Sequence, residues 1–310
     1  MTGSVAASHV EAGEAHPVIK GALRRNFISS DGVRLNFIDA GKGRPVVMLP
    51  GWSQSAAMFR HQFEALGPLY RVVAMDPRGH GDSEAPSHGY NPHRMALDLH
   101  ELMVSLDLRD VVLVGHSSGV KIVWAYWELF EADRLSKLVV VDDSPRLVDN
   151  PAWSEESRAQ VGPMYFTGDL DRFASSLLAP DGEEFTRTAM ATMFSPAFLR
   201  DRADEFAWII EENLKMPRDK AIELLYATSG MDWRGTIGRV RLPTLVIGAE
   251  GSTHKVSVIR WIASQIPGAK LRVYPRDEGG SHFMFIENAK RFNQELIAFI
   301  EERTARPDLA

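Results

Sequence analysis

The sequence GHSSG, at residues 115–119, holds a serine between two glycines. A serine hydroxyl attacks a carbonyl only when a base takes its proton, so this pattern predicts nucleophilic catalysis with a histidine and a carboxylate nearby. Ser117 is the candidate nucleophile because Gly115 and Gly119 stand two residues to either side, where a sharp strand-to-helix turn leaves no room for larger side chains. Ser118 is expected to offer its backbone N–H to an oxyanion at the start of the helix.

The segments around Ser117 are suited to such a turn. Residues 110–117 form an apolar run typical of a strand buried on both faces, and residues 119–130 have helical spacing. Similar runs alternate with helical patterns along most of the chain, which predicts βαβ units and a mostly parallel sheet with helices on both faces. Between residues 145 and 235 the alternation stops, and the irregular helical sequence there predicts an inserted lid over the sheet edge.

The predicted organisation has three parts. They are a flexible N-terminal tail over 1–24, an α/β core over 25–144 and 236–310, and the helical lid over 145–235. In the tail, Glu11, Glu14 and His16 interrupt the apolar stretch that a signal peptide would need. No apolar run approaches the roughly 18 residues of a membrane span. We therefore expect a cytoplasmic protein with no membrane partner.

Composition narrows the classes of partner and cofactor. The 310 residues carry a net charge of −6, which argues against nucleic acid or an anionic membrane as a partner. The chain has no cysteine, so we expect no disulfide, no thiolate chemistry and no cysteine-bound metal. Neither a phosphate-binding glycine loop nor a cluster of metal ligands is evident, so we expect no cofactor and no metal. A small hydrophobic substrate is the expected partner, and the oligomeric state is left open.

Five segments together resemble the α/β-hydrolase superfamily over about residues 25–305, and within it the chloroperoxidase-like and lactonase-like branch. They are VVMLPGW, MDPRGHGDS, VGHSSG, LVVVDDSP and EGGSHFMFIEN. The resemblance implies an α/β-hydrolase fold and places the catalytic histidine in the loop after the last strand, where His282 stands. His254 follows the preceding strand; a position facing the cleft is one alternative, and a solvated loop is the one we expect. His116 is expected to pack beneath the nucleophile and to contact the substrate.

The acid departs from the family pattern. Most relatives carry it three residues after the glycine of the strand at 242–250, but that position here is Gly251. Asp142 ends the preceding strand, and lactonase-like relatives and cofactor-free dioxygenases of this fold place their acid there. Parallel strands end at one edge of the sheet, so Asp142 is the first candidate, with Glu250 and Asp143 as alternatives.

The oxyanion hole and the pocket are expected beside the nucleophile. The resemblance places one oxyanion donor after the first buried strand, which here is the backbone N–H of Trp52, paired with that of Ser118. Relatives usually have His-Gly before this position, whereas this chain has Pro-Gly. The Trp52 side chain, Trp153 and Tyr165 are expected to line a hydrophobic substrate pocket together with His116.

These residues favour a serine hydrolase that cleaves an ester or lactone of a hydrophobic small molecule through an acyl-enzyme. Three alternatives remain on the same scaffold: a cofactor-free ring-cleaving dioxygenase, a carbon–carbon bond hydrolase and a non-catalytic ligand-binding receptor. A haloperoxidase-like activity would be a side reaction of the same triad. Epoxide and haloalkane hydrolases of this superfamily need an aspartate in place of Ser117, so the sequence disfavours them.

Overall fold

The computed structural model describes residues 9–302. Its ten strands are β1 His9–Val10, β2 Glu14–Ala15, β3 Ala22–Ile28, β4 Arg34–Ala40, β5 Pro45–Leu49, β6 Arg71–Met75, β7 Val111–His116, β8 Leu135–Val141, β9 Thr244–Ala249 and β10 Lys270–Tyr274. The α-helices of this part of the chain are α1 Arg60–Leu66, α2 Pro92–Ser105, α3 Ser118–Phe130, α4 Glu155–Val161, α5 Asp169–Leu178, α6 Gly182–Ala191, α7 Pro196–Asp201, α8 Ala203–Leu214, α9 Arg218–Ser229, α10 Arg234–Ile237, α11 Val256–Gln265, α12 Met284–Glu287 and α13 Ala289–Glu301. Two short 3₁₀ helices span Ala56–Phe59 and Arg276–Glu278.

All ten strands form one sheet. Neighbours follow the order β1-β3-β4-β6-β5-β7-β8-β9-β10, and β2 also pairs with β3. From β6 to β10 every neighbouring pair is parallel, whereas the pairs that involve β1 to β4 are antiparallel. The predicted mostly parallel sheet is therefore confirmed.

Apolar layers cover both faces of the sheet, as the continuous Val and Leu runs predict. In β7 all six residues are buried; Val111 and Leu113 join one layer, and Val112 and Val114 join the other. Helices α2, α3 and α11 contribute to the first layer, and α1 and α13 to the second. Successive strand residues point to opposite faces, so a strand between two helical layers must be apolar at every position.

The parallel strands bring the candidate catalytic residues to one edge. Ser117 directly follows β7 and Asp142 directly follows β8. His254 lies in the loop after β9, and His282 in the loop after β10. Residues more than 160 positions apart thus reach the same site because the carboxyl ends of parallel strands share an edge.

The expectation of a flexible tail over 1–24 is wrong for residues 9–24; residues 1–8 lie outside the described part of the chain. Strands β1 and β2 pair with β3, which itself begins at residue 22 and so extends the core beyond its predicted start at 25. The ring nitrogen Nδ1 of His16 accepts hydrogen bonds from the backbone N–H groups of Val18 and Ile19, and the Ile19 side chain is buried. Backbone pairing and one apolar anchor hold this polar segment in place.

The segment predicted as the lid, residues 145–235, contains α4 to α9 and the first two residues of α10. Helix α4 packs against α11, and α8 packs against the 3₁₀ helix Ala56–Phe59. The segment therefore contacts both the loop after β5 and the helix after β9. Among residues 9–302 no helix is both long and apolar enough to span a bilayer.

Candidate active site

Ser117 stands at the tip of a strained turn between β7 and α3. Its φ of 52° and ψ of −126° lie in a region that side-chain-bearing residues rarely adopt. A Cβ on Gly115 would lie 2.8 Å from the carbonyl oxygen of Gly119, and a Cβ on Gly119 would lie 2.5 Å from that of Leu49. Both distances are shorter than van der Waals contact, so the two glycines are steric requirements of this turn.

His282 and Asp142 form a buried pair at the same edge. The His282 Nδ1 lies 2.7 Å from the Asp142 Oδ2, and the two side chains are 4% and 0% exposed. With Asp142 ionised, its carboxylate can only accept, so Nδ1 carries the proton and Nε2 is free to take another. The Ser252 hydroxyl also donates to the Asp142 Oδ2.

Burial sets the protonation of this pair. It lowers the pKa of His282 to about 4, so the imidazole is neutral at pH 7. Burial also raises the pKa of Asp142, and the hydrogen bond from Ser252 opposes that rise. A neutral imidazole oriented through Nδ1 is the form that a general base requires.

Neither alternative acid hydrogen-bonds to His282 in residues 9–302. Glu250 is exposed and its carboxylate accepts from the backbone N–H of Arg276. Asp143 is buried but pairs with Lys121, whose Nζ lies 2.8 Å from its Oδ2. The structure therefore brings His282 together with Asp142 and with neither of the other two carboxylates.

The first candidate oxyanion donor is next to the nucleophile. A Cβ on Gly51 would lie 3.0 Å from the Cβ of Ser117, so the turn after β5 is packed directly against it. The Gln54 side chain fixes this turn by accepting from the Gly51 N–H at 3.1 Å, and Trp52 follows in sequence. Ser118 is the first residue of α3, where backbone N–H groups have no partner within the helix.

Ser117 and His282 line one cavity with Trp52 and Tyr165, as expected for the latter two. The cavity is small, about 70 Å³ when counted as the space that the centres of water molecules can reach. The apolar part of the remaining wall comes from the predicted lid, with Leu147, Met164, Met190, Met193 and Leu225. The Trp52 indole N–H donates to the carbonyl oxygen of Ala221 in α9, which ties the turn after β5 to the lid.

Two residues expected to contact substrate lie elsewhere. His116 is fully buried, and its ring nitrogens lie 3.1 Å from the Gln54 Oε1 and 2.9 Å from the His282 carbonyl oxygen. His116 therefore packs beneath Ser117, as the sequence predicts, and connects the turn that holds Gln54 to the loop that holds His282. It does not line the cavity. Trp153 packs against the guanidinium groups of Arg146 and Arg234 and is also outside the cavity wall.

His254 is the site residue whose position the sequence did not predict. It is only 4% exposed, lines the cavity, and its Nδ1 lies 2.8 Å from the Ser144 hydroxyl oxygen. Its ring centre is 5.4 Å from that of His282. The expectation of a solvated loop residue is therefore wrong. Its place just after β9 was the available signal, since that strand ends at the same edge as Ser117.

Within residues 9–302 no group of three or more histidine and acidic side chains is arranged to hold a metal ion. The polar groups of the site are a candidate nucleophile, an imidazole oriented by a carboxylate and candidate backbone donors.

A family model described as the alpha/beta hydrolase fold matches residues 44–289. The chain belongs to this family. The resemblance inferred from the five sequence segments is confirmed.

Relatives in the α/β-hydrolase family carry several names. The chain is 29% identical to a non-heme haloperoxidase of Rhodococcus erythropolis, over 88% of this chain and 98% of the relative. It is 28% identical to a soluble epoxide hydrolase of Corynebacterium sp. strain C12, over 86% and 90% of the two chains. Among solved structures, the enol-lactonase of Burkholderia xenovorans LB400 superposes with a TM-score of 0.74 at 22% identity, over 88% of this chain and 98% of that one.

Proposed function

We propose that the protein hydrolyses a carboxylic ester or lactone of a small, largely apolar molecule through an acyl-enzyme on Ser117. The observation that carries the proposal is the 2.7 Å contact between Nδ1 of His282 and Asp142, at a cavity that His282 shares with Ser117. An imidazole oriented by a buried carboxylate beside a strained serine is the arrangement that acyl transfer requires.

In the first half-reaction, the Nε2 of His282 takes the proton from the Ser117 hydroxyl as its oxygen bonds to the substrate carbonyl carbon. The carbonyl oxygen becomes an oxyanion and accepts hydrogen bonds from the backbone N–H groups of Trp52 and Ser118. The carbon–oxygen bond to the leaving group then breaks, and the His282 imidazolium returns the proton to the leaving alkoxide. In the second half-reaction, His282 activates water, which cleaves the acyl-enzyme and restores the Ser117 hydroxyl.

The surroundings favour the charges that form during these steps. Asp142 stabilises the imidazolium because its carboxylate lies at hydrogen-bond distance in a buried site where electrostatic interactions are strong. The Ser252 hydroxyl holds the same carboxylate oxygen in place. The first turn of α3 adds the positive end of a helix dipole beside the oxyanion.

The identity of the nucleophile distinguishes the proposed ester or lactone cleavage from epoxide opening, the reaction in the name of the Corynebacterium relative. Epoxide hydrolases of this fold attack with a carboxylate, and Ser117 cannot supply one. We therefore propose ester or lactone cleavage rather than epoxide opening. The small cavity and its methionine and leucine wall favour a short apolar acyl or ring substrate.

Labelling with a fluorophosphonate probe tests this function. Wild-type protein should form one covalent adduct, and Ser117→Ala should form none and lose turnover of p-nitrophenyl acetate. Ser257→Ala, an exposed serine on α11, is the matched control and should label fully. Full labelling of Ser117→Ala, or turnover by that variant at the wild-type rate, would reject Ser117 as the nucleophile.

If neither protein labels nor hydrolyses esters, oxygen uptake with a hydroxyquinolone substrate and no added metal would distinguish the ring-cleaving alternative. That reaction needs the His282–Asp142 base but no serine nucleophile. Oxygen uptake that survives in Ser117→Ala and fails in Asp142→Asn would favour the alternative.

A further inference from the structure

A second polar cluster faces the candidate active site and has no part in the mechanism above. It consists of Lys121, Asp143, Ser144 and His254, whose exposed fractions are 0%, 2%, 1% and 4%. Lys121, Asp143 and His254 line the same cavity as Ser117, among the apolar side chains of the lid. The cluster therefore places nearly inaccessible polar groups where a bound substrate must lie.

A buried ion pair is weak evidence for stabilisation of the fold. Replacing a buried ion pair with well-packed apolar residues is often neutral or stabilising, because removing two charges from water costs as much as their attraction returns. Lys121 and Asp143 line a cavity that five leucine and methionine side chains also line. The position of this ion pair at the cavity favours a binding role.

The unfilled hydrogen-bonding capacity indicates the ligand. The Lys121 Nζ donates to the Asp143 Oδ2 at 2.8 Å and to the Ser144 carbonyl oxygen at 3.0 Å, which uses two of its three N–H groups. The His254 Nε2 lies 3.9 Å from the Asp143 Oδ1, too far for a hydrogen bond. The third N–H of Lys121, the Oδ1 of Asp143 and the Nε2 of His254 are therefore close together, and each can form a further hydrogen bond with a ligand.

The charges of the cluster select a neutral ligand group. Lys121 and Asp143 balance each other, and burial together with nearby His282 and Lys121 holds the pKa of His254 well below its usual value. An anionic group would be attracted by Lys121 but repelled by Asp143. A hydroxyl or an amide can accept from Lys121 and donate to Asp143 at once, so it matches the available groups without adding a charge.

The shared cavity limits the distance to the reacting carbonyl. Ser117 and Lys121 line the same cavity, whose volume is only about 70 Å³ when counted as the space that the centres of water molecules can reach. A group bound by Lys121 therefore lies only a few bonds from a carbonyl attacked by Ser117.

We propose that Lys121, Asp143 and His254 form a polar subsite that binds a neutral hydroxyl or amide carried by the substrate a few bonds from its scissile carbonyl. The proposal rests on the proposed ester or lactone hydrolysis and names its substrate class. That class is hydroxylated or amide-bearing acyl compounds, including lactones with a ring substituent of this kind.

Matched esters test the subsite. In p-nitrophenyl 3-hydroxybutanoate and p-nitrophenyl 3-methylbutanoate, a hydroxyl and a methyl group occupy the same position. We expect wild-type kcat/KM to favour the hydroxyl ester by at least about tenfold, because the apolar ester leaves buried polar groups unpaired. A second pair, mono-p-nitrophenyl fumarate and p-nitrophenyl crotonate, presents a carboxylate against a methyl group and should show no preference for the carboxylate.

Variants then assign the preference to these residues. Lys121→Met combined with Asp143→Leu removes both charges together and leaves no unpaired charge, and His254→Phe removes the ring nitrogens while keeping an aromatic ring. Both variants should bring the hydroxyl-to-methyl ratio towards one. The exposed Lys290→Met is the matched control and should keep the wild-type ratio. Because each ratio compares two substrates on the same preparation, partial unfolding does not change it.

The outcomes separate the two proposals. Hydrolysis of both esters at equal kcat/KM, an unchanged ratio in the double variant, or a preference for the fumarate ester would overturn the polar subsite alone. Absence of turnover together with absence of Ser117 labelling would overturn the proposed function, and the subsite with it.

Discussion

At the scale of single residues, Gly251 shows why this position cannot carry the proposed acid. A Cβ at this position would lie 2.4 Å from the carbonyl oxygen of Gly280, so no carboxylate-bearing side chain fits there. Ser252, the next residue, donates instead to the Asp142 carboxylate. The loop after β9 thus holds the carboxylate of Asp142, the acid in the proposed mechanism, which follows the neighbouring strand.

Replacing Asp142 with Asn tests this arrangement. Asparagine keeps the shape but cannot hold the imidazole with its proton on Nδ1 in the same way, so kcat should fall by about a thousandfold or more. Glu250→Gln should stay near the wild-type rate, because the Glu250 carboxylate faces Arg276 at the surface. Steady-state kinetics with p-nitrophenyl acetate compare the two, and an equal loss in Glu250→Gln would contradict the assignment.

Single-residue reasoning from the sequence predicted the residues that directly follow a strand. Ser117 and Asp142 are of this kind, and strand direction alone places them at the site edge. It was wrong for His116, Trp153 and His254. Their side-chain directions depend on partners from distant segments, such as Gln54 for His116 and Ser144 for His254, and no local pattern encodes those contacts.

At the scale of elements, the spacing of apolar residues predicts the strands and helices of the core. It does not predict the pairing of β1 and β2 with β3. The predicted strand at 110–117 and helix at 119–130 correspond to β7 and α3 within one residue at each end. Strands β1 and β2 have two residues each, too few to show an alternation, and their backbone pairing with β3 gives no side-chain signal. A polar composition therefore suggested a mobile tail.

One buried lysine joins two core elements. Lys137 lies in β8 and is 2% exposed, and its Nζ donates to the carbonyl oxygens of Phe299, Ile300 and Glu302 at the end of α13. The last carbonyls of a helix have no partner within the helix, so this ammonium group satisfies them and complements the helix dipole.

Lys137→Met should therefore lower the free energy of unfolding by about 2 kcal/mol, the range for hydrogen bonds to a charged group. The site should be unaffected, because Lys137 is near the opposite end of β8 from Asp142. Urea denaturation measures the loss, with exposed Lys290→Met as the control. A stability equal to that of the control would contradict the capping role.

At the scale of the whole molecule, the candidate site is buried between the sheet edge and the helical segment 145–235. Three histidines from different segments meet here: the ring centres of His116 and His254 lie 4.6 Å and 5.4 Å from that of His282. Burial lowers the pKa of each of them, so all three are neutral near pH 7. Enclosure thus keeps the imidazole of His282, the base in the proposed mechanism, neutral without a bound substrate.

The pH dependence of catalysis should show this burial. His282 must be neutral to act as a base, and its pKa is lowered to about 4, so activity is retained above that value and is lost as pH falls through it. We expect kcat/KM for an ester without polar substituents to be level between about pH 6 and 8. A fall centred near pH 6.5, the value of an exposed histidine, would contradict a buried neutral base.

Trapping the acyl-enzyme tests the central claim most directly. Wild-type protein mixed with p-nitrophenyl acetate and quenched in acid should carry a single acetyl group, which peptide mass spectrometry should locate on Ser117. Steady turnover with no acetyl on Ser117, or with the acetyl group on another residue, would contradict the account.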